Sequence, residues 1–310
     1  MRAAPQAQAQ ANAPEELPHP VHASNVAAFS PQRLRLLDVE IEYRWAASGA
    51  GDDQDEHTRE APIVFLHEGL GSVAMWRDFP DRLCRAVGRR GLVFSRRGYG
   101  QSTAIQDVRG PFAAPAPGSL QLRGRHPPDY MHREAWDVLP LLLEALGISK
   151  PVLFGHSDGG TIALLHASRH PVAACIVAAP HVLVESVSTD AIAQTRDLYL
   201  QPGTPEKPSL RDRLARFHAD VDGAFWSWND VWLSEPFSHM DIRTDCARIT
   251  APLLAIQGMD DEYGTMRQID DIAAANPHTQ LLKLPDCGHS PHKDQPQSVI
   301  DAITRLLTQV

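Results

Sequence analysis

The chain has 310 residues, 43% of them hydrophobic, and a formal net charge of −9; that supports a substantial buried core and disfavours a phosphate-binding surface. Lys and Arg are scattered rather than gathered in a stripe, so nucleic acid is not an expected partner, and no apolar run approaches the roughly 20 residues of a membrane-spanning helix. The opening segment lacks the apolar core of a secretory signal, and Cys84, Cys175, Cys246 and Cys287 lie far apart with no CxxC pair, so a cytoplasmic protein with free thiols is expected.

Residues 1–30, mostly Ala, Gln and Pro, are expected to form a disordered tail. The alternation in "LRLLDVEIEYRW" predicts a two-stranded hairpin, while "APIVFLHEG" and "GLVFSRRGYG" each read as a buried strand running into a glycine loop. Helical spacing spans Met75 to Val87, and "DYMHREAWDVLPLLLEALG" predicts a second helix opened by Asp129, closed by Gly147 and bent at Pro140. Between these helices, "QDVRGPFAAPAPGSLQLRGRHPP" has the Pro and Gly content of an irregular surface loop. Further short apolar strands follow at "PVLF", "ACIVAA", "PLLAIQG" and "QLLKLP", separated by helix-length stretches. Strand and helix alternate, which predicts an α/β fold with a mostly parallel central sheet covered on both faces. From His181 to about Cys246 the alternation stops, and Trp226, Trp228 and Trp232 crowd into seven residues of a helical insertion.

The stretch Gly155-His156-Ser157-Asp158-Gly159 lies between the strand "PVLF" and the helix "TIALLHAS". This G-x-S-x-G spacing suits a sharp strand-to-helix turn that lifts a serine hydroxyl above the sheet edge, with glycines where backbones pass too closely for side chains. Free amides at the helix start would favour negative charge developing there. A serine hydroxyl needs a base, and the base needs an acid to fix its tautomer. Downstream, "LLAIQGMDDEYGT" ends a strand with Asp260 and Asp261, and "LLKLPDCGHSPH" ends the next with His289. All three groups fall at carboxyl ends of strands, where open α/β sheets gather their ligands. His292 makes a His-x-x-His pair with His289, but no further ligands stand at sensible spacing, so no metal is expected.

With these residues in place, the chain after about residue 30 resembles the α/β-hydrolase superfamily: "GHSDGG" resembles its nucleophile elbow, "FLHEGLGS" its oxyanion loop, "SRRGYGQS" a strand-end RGxGxS segment and "CGHSPH" its histidine loop. The resemblance implies residues 31–180 and 247–310 as the core and 181–246 as a helical cap. It implies a catalytic triad of Ser157, Asp261 and His289, with Asp261 chosen over Asp260 because relatives carry the acid three residues after the strand-end glycine, here Gly258. The backbone amides of Gly69 and Asp158 would form the oxyanion hole, and the cap tryptophans would supply pocket walls. Two positions depart from the family pattern. Glu68 stands where many members have glycine and is expected to turn away or pair with Arg96 or Arg97; Asp158 follows the serine where a neutral residue is common, its side chain expected to turn from the pocket, as a solvated carboxylate near the helix start or, alternatively, a substrate contact. The activity implied is cofactor-free hydrolysis of a small carboxylic ester, thioester or lactone. Alternatives on the same scaffold are C–C bond hydrolysis of the meta-cleavage type, from which Ser290 departs where a tryptophan is usual, haloperoxidase-like perhydrolysis, and ligand reception without turnover.

Overall fold

A computed structural model describes residues 31–46 and 60–308; the expected tail at 1–30 lies outside them. The hairpin strands β1 (Gln32–Leu36) and β2 (Val39–Ala46) are followed by β3 (Ile63–Leu66), β4 (Gly91–Phe94), β5 (Val152–His156), β6 (Ala174–Ala178), β7 (Leu253–Gly258) and β8 (Gln280–Leu284). They form one sheet in the order β1-β2-β4-β3-β5-β6-β7-β8. β1 with β2 and β2 with β4 are antiparallel, and every other pairing is parallel. The apolar runs of β3 to β7 are buried on both faces, as a sheet covered by helices requires.

Successive residues of each strand serve opposite layers. Val64 and Leu66 join one core with Leu92, Leu153 and Ile162, whereas Ile63 and Phe65 join the other with Trp76, Val93, Phe154 and Ile303. A fully buried side chain such as Phe65 stabilises the fold by roughly 1.5–3 kcal/mol.

The helices are α1 (Phe79–Val87), α2 (Tyr130–Arg133), α3 (Leu139–Ala145), α4 (Asp158–Ala167), α5 (Ser186–Leu200), α6 (Leu210–Leu214), α7 (Val221–Trp232), α8 (Arg243–Cys246), α9 (Arg267–Ala275), α10 (Pro291–Asp294) and α11 (Pro296–Leu307). Two depart from the expected spans. The helix foreseen from Met75 is interrupted at Arg77, which takes a positive φ of 53°, and restarts at Phe79 with Pro80 in its first turn, where a missing N–H is harmless. The helix foreseen over 129–147 is divided by a π-helical turn at Glu134–Val138 directly before Pro140; the wider turn accommodates a ring that would otherwise collide with the preceding turn's carbonyl. Between β6 and β7 the described chain contains α5 to α8 and no strand of the sheet.

Candidate active site

β5 ends in the G-x-S-x-G turn, and Ser157 holds φ 53° and ψ −120° immediately before α4. Such a conformation costs a non-glycine residue on the order of 1–3 kcal/mol, and the neighbouring backbone holds it in place. Ser157 N donates to Ala178 O at 2.9 Å, and Gly160 N donates to Ser157 O at 2.8 Å. A Cβ on Gly155 would lie 2.2 Å from Gly159 O, and one on Gly159 would lie 2.0 Å from Leu66 O. Only glycine at both positions lets β3, β5 and α4 approach this closely.

The loop after β8 brings His289 to the serine. His289 Nε2 lies 3.0 Å from Ser157 Oγ, and Nδ1 lies 2.8 Å from Asp261 Oδ1. Asp261 also accepts from Tyr263 N at 2.8 Å and from Gln257 Nε2 at 2.8 Å. Burial pushes its carboxyl up, but the His289 hydrogen bond and charge outweigh that effect and hold it below its ordinary value. Asp260 is exposed, and among the described residues its side chain has no hydrogen-bond partner, its backbone N donating to Cys287 O. The contact of Gln257 with Asp261 is one that sequence reasoning missed; its place as the penultimate residue of β7 is the available signal, but strand geometry alone does not say which side chain reaches the acid.

Ser157 opens into a cavity of about 180 Å³ lined by Gly69, Asp158, His181, Trp228, Trp232 and Tyr263 among others. The backbone amides of Gly69 and Asp158 make no hydrogen bond among the described residues. Both residues line the cavity that holds Ser157. The indole of Trp228 covers Gly69 so tightly that an added Cβ would sit 2.2 Å from Nε1. Trp232 closes another side and donates Nε1–H to Asp158 Oδ1 at 3.2 Å. Trp226 does not line this cavity. Its ring packs against Tyr199 and Phe225 with the Arg109 guanidinium 4.0 Å from its centroid, because neighbours two positions apart on α7 face different sides of the helix.

Glu68 and Asp158 both find partners other than those expected. The Glu68 carboxylate folds over Gly71 toward His156 Nδ1 at 3.5 Å and Lys293 Nζ at 3.6 Å. Burial raises its pKa, but Lys293 and His156 prevail and hold it well below the usual carboxylate range. Arg96 instead donates to the Glu68 backbone carbonyl at 3.0 Å, and Arg97 pairs with Glu134. Asp158 is not solvated: it is fully buried, accepts from Tyr130 Oη at 2.5 Å and lies 3.8 Å from Arg96. Burial keeps its carboxyl above the ordinary value in spite of these partners. His156 ties the elbow to the histidine loop, donating from Nε2 to the carbonyl of His289 at 2.7 Å. His292 turns into the core against Trp76 and Phe79, with ring centroids 5.0 and 5.3 Å apart. Among the described residues no group of three His, Cys, Asp or Glu side chains is placed to hold a metal.

The sheet order, the strained serine turn and the Ser-His-Asp chain together define an α/β-hydrolase architecture. The alpha/beta hydrolase family's sequence profile matches residues 63–302, and the chain belongs to that family. It is 26% identical over 269 residues to an sn-1-specific diacylglycerol lipase of Mus musculus, covering 79% of this chain and 80% of the relative. The fold is similar to a thermophilic esterase from Thermogutta terrifontis, with a TM-score of 0.62, 20% identity and coverage of 90% and 98% of the two chains. It is also similar to an enol-lactonase from Burkholderia xenovorans, with a TM-score of 0.61, 20% identity and coverage of 89% and 100%.

Proposed function

We propose that the protein is a serine hydrolase that cleaves a small carboxylic ester, thioester or lactone through an acyl-enzyme intermediate. The observation that carries this reading is the unbroken hydrogen-bonded chain from Ser157 Oγ through His289 to Asp261. His289 Nε2 takes the hydroxyl proton as Oγ attacks the carbonyl carbon, and Asp261 stabilises the imidazolium and fixes its tautomer. Negative charge on the carbonyl oxygen is received by the Gly69 and Asp158 amides, each such donor typically contributing about 3 kcal/mol. The imidazolium then protonates the departing oxygen or sulfur, and water activated by the same imidazole hydrolyses the acyl-serine. Residues 181–246 act as the cap that supplies Trp228 and Trp232 to the pocket. The four unpaired cysteines suit a reducing, cytoplasmic setting.

The test is to incubate purified protein with p-nitrophenyl esters, acyl thioesters and lactones, with mass spectrometry of the quenched enzyme. Turnover with an acyl adduct on Ser157 is expected. Tight ligand retention with neither turnover nor adduct would assign a binding role instead.

A further inference from the structure

Beside His289 stands a second histidine that acyl transfer leaves unused. His181, just beyond β6, is 3% exposed and lines the catalytic cavity. Thr161 Oγ1 clamps its backbone from both sides, donating to His181 O at 2.7 Å and accepting from His181 N at 3.1 Å. Its ring sits edge-on to Trp232, with centroids 4.9 Å apart, and 5.7 Å from the ring of His289. The imidazole makes no hydrogen bond to any described residue; Nδ1 is wholly buried, which leaves Nε2 as the ring nitrogen able to meet a molecule in the cavity. Burial, reinforced by His289, pushes its pKa down to about 3, so near neutral pH the ring carries one N–H donor and one lone pair.

Burying an unmatched imidazole is unfavourable in a way that Phe or Leu at the same place would not be. A hydrocarbon substrate would leave that polarity unmatched, whereas a hydroxyl or carbonyl oxygen would satisfy it. The charged residues lining the same cavity are the carboxylates Glu68, Asp158 and Glu262, with no Lys or Arg among the lining residues. Glu68 has Lys293 at 3.6 Å and Asp158 has Arg96 at 3.8 Å, so the uncompensated charge a substrate carboxylate would meet is that of Glu262, which is of like sign.

Building on the serine-hydrolase reading, we infer that His181 is a specificity-determining residue that hydrogen-bonds a neutral polar group, a hydroxyl or carbonyl of a compact substrate, next to the bond being cleaved. The substrate class is thus a small polar, uncharged ester or its thioester or lactone counterpart.

The test compares pairs that exchange a methyl for a hydroxyl: p-nitrophenyl 3-methylbutanoate against 3-hydroxybutanoate on the acyl side, and butyl acetate against 3-hydroxypropyl acetate on the alcohol side. In at least one pair the hydroxyl member should have a kcat/KM about tenfold higher or more, since a site built to hydrogen-bond rejects the analogue lacking that group. In His181→Phe the ratio should fall to about one or below, and His181→Gln, which keeps a donor and an acceptor, should restore part of it. A p-nitrophenyl hemisuccinate should react at least about tenfold more slowly than the hydroxybutanoate. Preference for the methyl member in both pairs, a ratio unchanged in His181→Phe, or rapid hemisuccinate cleavage would overturn the inference. Absence of both turnover and Ser157 acylation in the native protein would bring down the hydrolase reading, and this inference with it.

Discussion

Replacing Asp261 by Asn should disable the site, and the equivalent change at its neighbour Asp260 should not. Asp261 accepts three hydrogen bonds, from His289 Nδ1, Tyr263 N and Gln257 Nε2, all at 2.8 Å. An asparagine has one acceptor oxygen in place of two. With that oxygen toward His289 and Tyr263, its NH₂ opposes the Gln257 NH₂. With the amide flipped, the NH₂ faces Nδ1 and drives the imidazole proton onto Nε2, the atom that must be free to accept from Ser157. The serine-protease prototype loses about 10⁴-fold in kcat for the same change, or ~5.4 kcal/mol of transition-state stabilisation. We expect Asp261→Asn to fall by a similar factor while remaining folded, and Asp260→Asn to stay within about twofold, since its exposed side chain has no partner among the described residues. The assay is steady-state ester hydrolysis at neutral pH, with circular dichroism as the folding control. Collapse of turnover in Asp260→Asn alone would refute the assignment.

Gln257→Leu removes a hydrogen bond to a buried carboxylate, worth about 1.5–3 kcal/mol, and should lower kcat by about tenfold or more with KM little changed in the same assay. Glu68→Gln should preserve most turnover but lower the urea midpoint. Because the Glu68 pKa is depressed in the folded state, its contribution is full above the unfolded value of about 4.3 and is lost as pH falls through the folded value. The native-minus-variant difference in stability should therefore be constant from about pH 8 to 5 and shrink at lower pH; a difference that grows on acidification would contradict the pairing with Lys293 and His156. Gly69→Ala should cut kcat/KM by more than about tenfold, because the added methyl meets the Trp228 indole. In a Trp228→Ala background the same substitution should cost much less, and strict additivity would show that the contact is not what matters.

The strands and the serine turn were legible because their signals are local. Runs such as "IVFL" and "VLFGH" can be buried on both faces only inside a sheet, and the two glycines around Ser157 reflect contacts of the turn with β3 and with its own helix. His289 could be found because strand ends converge at one edge, so its distance along the chain mattered less than its place after β8. What stayed hidden depends on which long side chain reaches which neighbour. The sequence offers Arg96 or Arg97 as partner for the Glu68 carboxylate, yet Arg96 reaches the Glu68 backbone carbonyl instead, Arg97 pairs with Glu134, and a lysine on α10 takes the place beside the carboxylate. Likewise Asp158 reads as a solvated helix-start carboxylate until Tyr130, 28 residues earlier, and Trp232, 74 residues later, are seen to enclose it. The three tryptophans share α7, but their division between cavity and packing follows from how α7 is rotated, which spacing alone does not fix.

The most direct test of the central claim is covalent labelling of the native protein with a fluorophosphonate, followed by peptide mapping, alongside Ser157→Ala and His289→Ala. A serine activated by the hydrogen bond to His289 should be labelled at Ser157 in stoichiometric yield, with no label in Ser157→Ala and labelling slowed by at least about 10³-fold in His289→Ala. Unchanged labelling of Ser157→Ala, or modification mapped to another residue, would contradict the assignment of Ser157 as the nucleophile.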